Sequence, residues 1–391
     1  MGSINNSLFN EIEEDEVEDG TPFQPSPSIM NDPFDPKKID ITTKQPTLDL
    51  LIKRLGANPT EIDLYPDFQR KDSIWDVEKQ SRLIESILIS FPLPAFYFDG
   101  TKEDKWLVID GLQRLSTLKN FIIDKTLKLT GLEFLGKTLE GKYFNQLDRT
   151  LQRKIEETQV VAYITNPGTP EDVKYNIFKR INTGGLTLTP QEIRHALNQG
   201  IPAQFVKELA DTKEFKEATG NRISSERMMD REFVTRFLAF YLNDINDYKR
   251  DMDLFMNQAL GKLKFKNEKE REKIKSDFKA AMELSQIVFK NLAFQKLDSD
   301  KNKINRSLFE VWSVELAKLT LENRKKLILK KDFVYSQFKD LFRETKEIIE
   351  DNDLQERKLF HKSISSATNQ KERVLCRFKV VRDIIGRALN S

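Results

Sequence analysis

The chain has 391 residues, a net charge of +2, one cysteine and two histidines. That length provides for about two domains with sizeable cores, and the lone Cys376 excludes an internal disulfide and a cysteine-rich zinc site. No apolar run approaches the ~20 residues that span a bilayer and no secretory signal precedes the body, so the expectation is a cytoplasmic protein without membrane contact and without zinc or haem.

Charge divides the chain at once. Residues 1–36 contain nine Asp or Glu and no Lys or Arg, which leaves +11 for residues 37–391. Seven of those acids fall in 11–19 (EIEEDEVED), followed by Pro22, Pro25, Pro27, Pro33 and Pro36. Such a segment cannot bury enough surface to order itself, so residues 1–37 are expected to be a disordered acidic tail that solubilises the protein, docks on a partner, or competes with a polyanion for the basic body.

From 38 to 165 short strand-like runs (IDIT, EIDLY, AFYF, KWLVI, TLKLT, QVVAYI) alternate with helices, and from about 170 nearly every segment is helical. The pattern predicts an α+β domain over 38–168 and helical regions over 169–260 and 261–391. A helix over 76–90 carries Val77, Leu83, Ile84, Ile87 and Leu88 on one stripe and must stop before Pro92 and Pro94. Just upstream, Gln69-Arg70 and Trp75 follow a strand end, where a guanidinium can enter a cleft; core packing explains the tryptophan equally well.

The most informative stretch is Asp110-Gly111-Leu112-Gln113-Arg114. The buried strand 105–109 breaks at Asp-Gly, and Leu115, Leu118, Phe121 and Ile122 restart at helical spacing. A tight turn at Gly111 followed by free helix amides, with Arg114 one turn in, suits an anion. The plainer alternative is that Asp110 caps the helix and Arg114 pairs with a surface carboxylate.

Gly131-Leu132-Glu133-Phe134-Leu135-Gly136-Lys137-Thr138 satisfies the literal phosphate-loop pattern. Its bulky Leu132, Phe134 and Leu135 and the anionic Glu133 oppose phosphate binding, so a loop with apolar residues tucked into the core is expected. Further on, Asn182-Thr183-Gly184-Gly185 ends one helix and Thr189-Pro190-Gln191-Glu192 starts the next as a capping box. Arg180, Asn182 and Arg194 are candidate phosphate donors there, although a helix linker explains the glycines as well. His195 and His361 are the only histidines, and no His-Asn-His nuclease motif surrounds them. Cys376 reads as a small buried hydrophobe, residues 267–276 as a solvated helix face, and the amphipathic helix 307–320 as core or partner surface.

Taken in order, Gln69-Arg70 with Trp75, Leu83 to Leu88 with Pro92-Leu93-Pro94, Asp110 to Leu118, Gly141-Lys142-x-Phe144, Phe178-x-Arg180-Ile181-Asn182-Thr183-Gly184-Gly185 and Gln191-Glu192-Ile193-Arg194 resemble the bacterial and phage family called "domain of unknown function 262". The resemblance runs over about 40–240, including Arg227-Met228-x-Asp230-Arg231. This is the ParB/sulfiredoxin-like N-terminal module of GmrSD-type modification-dependent restriction endonucleases. It implies a small ParB-like mixed-sheet domain joined to a helical bundle, with a site that binds and hydrolyses nucleoside triphosphate with Mg²⁺ and controls a nuclease acting on foreign DNA.

Carried onto this chain, Asp110, Gly111, Gln113 and Arg114 match the family's motif and Arg70 its upstream arginine. Asp110, Gln113 and Arg114 are then the catalytic set, with Asp110 the residue for Mg²⁺. Gln69, Arg70, Gly111, Thr117, Arg180, Asn182, Thr183 and Arg194 are the nucleotide- or phosphate-binding set. Leu112 stands where the family has a glutamine, which makes binding a firmer expectation than hydrolysis. Residues 245–391 lack a His-containing nuclease domain, so any nuclease would be supplied in trans. The alternative is a non-catalytic DNA-binding protein or scaffold that recruits a partner, with affinity from its +11 body.

Overall fold

In the computed structural model, the described residues are 17–18, 39–64, 75–102, 104–181, 188–297, 303–342 and 351–391, and statements of absence or number below refer to these. The chain forms two compact units, one of Asp32–Leu197 and one of Met1–Asn31 with Asn198–Ser391. The strands are β1 (Val17–Glu18), β2 (Ile41–Lys44), β3 (Ile62–Asp63), β4 (Phe96–Lys102), β5 (Lys105–Asp110), β6 (Ala162–Thr165) and β7 (Ile304–Asn305). No helix is long and apolar enough to cross a membrane.

The first unit is α+β, as expected. Its five-stranded mixed sheet has the order β2-β6-β4-β5-β3, with β4 antiparallel to β5 and parallel to β6, and β3 parallel to β5. Helices α1 (Leu48–Gly56), α2 (Val77–Leu88), α3 (Leu112–Leu118), α4 (Gly136–Leu139) and α5 (Arg149–Glu156) belong with it. Leu48, Leu51, Leu83, Ile84, Ile87, Leu115, Leu118 and Phe121 join Phe96, Phe98, Trp106, Val108 and Ile164 in one core. The stripe foreseen on α2 is therefore the buried face, save that Val77 at its first turn is about half exposed. Helices α6 (Glu171–Ile181) and α7 (Pro190–Leu197) also belong to this unit, so the boundary falls at 197/198 rather than at 168.

One expected strand is not a strand. In Thr126–Thr130, Leu127 and Leu129 are buried, which is the alternation that suggested one, yet the backbone finds no ladder. Its groups bond instead to Asn120, to the turn at Gly141 and Lys142, and to the Ser81 hydroxyl.

The phosphate-loop look-alike is filled from within. Glu140 accepts the N–H groups of Gly131 (2.9 Å) and Leu132 (3.2 Å). Buried Glu85 of α2 accepts those of Glu133 (3.0 Å), Phe134 (2.7 Å) and Leu135 (2.7 Å). Five successive amides, the kind of nest that would cradle a phosphate, thus face two carboxylates of the same chain.

The second unit is helical: α8 (Ile201–Ala210), α9 (Lys213–Ala218), α10 (Met229–Leu242), α11 (Met252–Lys264), α12 (Glu268–Phe289), α13 (Arg306–Ala317), α14 (Leu321–Leu329), α15 (Lys331–Asp340), α16 (Asp351–Ser365) and α17 (Lys371–Asn390). A single core runs from Phe205 to Ala388, so nothing divides the chain near 260. Every residue of α13 from Ser307 to Ala317 is buried, which assigns that helix to the core rather than to a partner surface. Edge-to-face aromatic pairs fill the interior, among them Phe289–Trp312 at 4.7 Å and Phe294–Phe309 at 4.8 Å. Val17 and Glu18 pair in parallel with Ile304 and Asn305; the rest of the acidic tail lies outside the described residues.

A buried ion network ties three of these helices. Glu310 of α13 accepts from Arg236 of α10 and from Arg377 of α17, each at 2.5 Å. Arg377, with no exposed surface, also donates to the carbonyls of Thr368 (2.7 Å) and Ser363 (3.3 Å). Burial alone would lower the Arg236 guanidinium, but Glu232 and Glu310 outweigh it and hold it above its ordinary value.

Glu310→Ala leaves buried Arg377 without a carboxylate and Arg236 with Glu232 alone, and is expected to cost about 3–5 kcal/mol in urea unfolding followed by circular dichroism. Burial raises the Glu85 carboxyl, yet the three amide bonds prevail and keep it below its usual value. Its contribution is therefore present at neutral pH and lost as pH falls through that lowered value. Glu85→Gln should flatten the acid limb of the stability profile, and Glu85→Ala should cost about 1–3 kcal/mol or more at neutral pH.

Candidate functional site

The junction singled out in the sequence sits where β5 runs into α3. The β4–β5 register shifts between Tyr97 and Phe98: Phe98 pairs with Val108 but Tyr97 pairs with Asp110. Two residues of β5, Ile109 and Asp110, thus oppose one of β4. Such a bulge re-aims a side chain, here bringing the Asp110 carboxylate to the face that carries Tyr97 instead of the buried face of Val108. Gly111 follows at φ +100°, and a Cβ there would lie 2.4 Å from the Phe96 ring, so both conformation and space require glycine. Gly111 is the N-cap and no side chain caps the helix, so Asp110 does not serve as the cap.

Arg114 turns inward. Its guanidinium donates to the carbonyl oxygens of Pro94 and Ala95 (2.9 Å for the latter) and to Asp110 Oδ2 at 2.8 Å, and lies 4.3 Å from the Phe96 ring centroid. The carboxylate that pairs with it is Asp110 itself, not one on the surface. Burial raises the Asp110 carboxyl above its usual value while Arg114 opposes that rise.

Behind the junction a chain of amides fixes the approach to α2. Gln113 Oε1 accepts the Trp75 N–H (3.0 Å), Gln80 Nε2 donates to the Trp75 carbonyl (2.7 Å), and Asn120 Nδ2 donates to Gln80 Oε1 (3.2 Å). Asn120 lies in the π-helical turn 119–123 that prolongs α3. Leu112 packs partly buried against the core. Thr117 is buried and donates its hydroxyl to the Gln113 carbonyl (2.8 Å).

Asp110 and Arg114 are therefore in direct contact with Gly111 between them, while the Gln113 side chain reaches Trp75. Gln69, Arg70, Asn182 and Thr183 lie outside the described residues. The capping box foreseen at α7 is present: Glu192 Oε2 accepts the Thr189 N–H at 2.6 Å and Thr189 Oγ1 accepts the Glu192 N–H at 3.1 Å. Arg194 is fully buried, donating to Gln191 Oε1 (2.6 Å) and toward the Tyr175 hydroxyl (3.3 Å), whereas Arg180 at the end of α6 is exposed. Buried His195 belongs to α7 and half-buried Cys376 to α17, where burial raises the thiol.

Two groups escaped the sequence reading. Across the sheet, Thr43, Tyr163, Tyr97 and Asp110 are register partners in one row. The Tyr97 and Tyr163 rings stack at 4.9 Å and 22°, half-buried, while Phe96, Phe98, Ala162 and Ile164 point to the core. The signal was the aromatic alternation in AFYF beside AYIT, readable only once β4 and β6 are known to be neighbours. In the next row, buried Lys174 of α6 donates to Thr101 Oγ1 and lies 3.6 Å from Asp99, whose Oδ1 also accepts from Thr165. A lysine inside a helical run gave no hint of a sheet partner more than seventy residues away.

In chemical terms the junction offers a half-exposed carboxylate, a tight glycine turn with helix amides beyond it, and a tyrosine wall alongside. No three His, Cys, Asp or Glu side chains converge as a metal cage. No curated protein and no solved structure matches the chain. Residues 52–198, which include strands β3 to β6, the junction and α7, match the family described as "GmrSD restriction endonuclease, N-terminal domain".

Proposed function

We propose that the Asp110–Arg114 junction binds a nucleoside triphosphate with Mg²⁺ and that the chain is the nucleotide-dependent module of a restriction-type system acting on DNA, with the nuclease supplied in trans. The observation that carries the reading is the bulge that delivers the Asp110 carboxylate to the half-open sheet face directly before the left-handed Gly111. The family match over 52–198 supports it, since the junction lies among the matched residues.

In this reading the amides after Gly111 receive phosphate oxygens. Mg²⁺ commonly binds through one or two carboxylates together with substrate phosphates, so a single Asp110 suits an ion carried in by the triphosphate. That ion would neutralise the phosphates and polarise the terminal phosphoryl group. Arg114 acts at one remove: its donors are committed to Pro94, Ala95 and Asp110, and it positions the carboxylate rather than grasping phosphate. Gln113 likewise fixes Trp75, at the end of the segment that carries Arg70. With Leu112 packed on the core in place of the family's glutamine, turnover is slow beside binding.

Asp110→Asn keeps the shape and removes the charge. It is expected to weaken Mg²⁺-dependent triphosphate binding at least about tenfold, or 1.4 kcal/mol, in calorimetry, and to lower the melting temperature while leaving the chain folded, since buried Arg114 loses its charged partner. Unchanged affinity would overturn the reading. Leu112→Gln is expected to raise phosphate release above the wild type in a single-turnover assay. Salt-dependent DNA binding indifferent to nucleotide would favour a plain DNA-binding module instead.

A further inference from the structure

The stacked pair Tyr97–Tyr163 has no part in the phosphate chemistry, yet it adjoins the junction. Alternation along β4 and β6 sends Phe96, Phe98, Ala162 and Ile164 into the core and leaves both tyrosines on the opposite face. On that face the next row, Ile41, Thr165, Asp99 and Leu107, is engaged by α6 through the ion pair of Lys174 with Asp99. The tyrosine row stays half-exposed. Tyr97 and Tyr163 lie one and two strands from Asp110, roughly 5 and 10 Å at ordinary strand spacing, so a base on the pair is within one nucleotide's reach of phosphates at the junction.

The ring environment also fits a planar ligand. One face of Tyr97 is taken by Tyr163, while its register partner on the other side is Asp110, a short side chain followed by a residue with none. A stacked pair standing on adjacent strands is held rigidly by the sheet, so little ordering remains to be done when a base adds to it. Burial, with Tyr163 and Asp110 nearby, raises the Tyr97 phenol, which leaves its O–H a donor across the neutral range.

We propose that Tyr97 and Tyr163 form the base-binding wall of the site, so that it takes a nucleoside triphosphate through its base as well as its phosphates. The inference rests on the nucleotide reading above and adds which end of the ligand lies where. Base–aromatic stacking is worth about 1–3 kcal/mol per base, which corresponds to a roughly 5- to 150-fold change in affinity.

The test is calorimetry on the full chain with Mg²⁺, comparing ATP, GTP and inorganic triphosphate across wild type, Tyr97→Ala, Tyr163→Ala, Tyr97→Phe and Asp110→Asn. The expected result is that the alanine variants lose about 5- to 150-fold in nucleotide affinity and none for inorganic triphosphate, that Tyr97→Phe retains most of the nucleotide affinity, and that Asp110→Asn weakens both ligands. Alanine variants that bind nucleotide as the wild type does, or that weaken both ligands equally, overturn the base wall while leaving the phosphate site standing. A wild-type chain that binds neither ligand overturns the nucleotide reading and the base wall with it. Tyr97→Phe, which keeps the ring and the packing, separates a lost stack from a lost fold.

Discussion

A buried guanidinium organises the α+β unit at the point where chemistry is expected. Arg114 joins the loop before β4, through the Pro94 and Ala95 carbonyls, to the end of β5, through Asp110, and lays its plane over Phe96. Three consequences are bound together by that contact. The bulge is held open, the Asp110 carboxylate is aimed, and Gly111 is pressed so close to Phe96 that no side chain fits. An arginine one helical turn after a glycine is usually read as a grasping residue; here the protein uses its fixed fork to define the shape of the turn.

Carboxylates are used in the same way elsewhere. Glu85 and Glu140 occupy the five amides of the loop 131–135, and Glu310 gathers two arginines inside the helical unit. In each case a charged group stands in for backbone or side-chain partners that the local chain cannot supply. Removing buried Glu85 or Glu310 leaves a donor or a charge without its counterpart, which costs far more than the pair gives relative to an apolar replacement.

Much of the fold was legible because its signals are local. The stripe on α2, the buried strand at 105–109, the glycine turn and the Thr189–Glu192 capping box each need only a few neighbouring residues. What was not legible depends on pairing at a distance. Thr126–Thr130 alternates like a strand but finds a turn and a serine hydroxyl instead of a ladder. The bulge at Ile109–Asp110, the Tyr97–Tyr163 stack and the Lys174–Asp99 contact exist only once β4, β5, β6 and α6 are neighbours. At the site, spacing alone brought Asp110 and Arg114 together, but it pointed Arg114 at a ligand rather than at Pro94 and Ala95. Thr117 entered the binding set by its place in the motif, and its hydroxyl is spent on its own helix.

The network around Glu310 also constrains the order in which the protein can be made. Its members lie on α10, α13 and α17, and Arg377 is on the last of these. During synthesis the Glu310 carboxylate and the Arg236 guanidinium leave the ribosome well before Arg377, so the interior they share cannot close around a complete set of charges. The helical unit therefore reaches its native packing only after its final helix has emerged, whereas the sheet-bearing unit, encoded before Asn198, has all its own partners at hand much earlier.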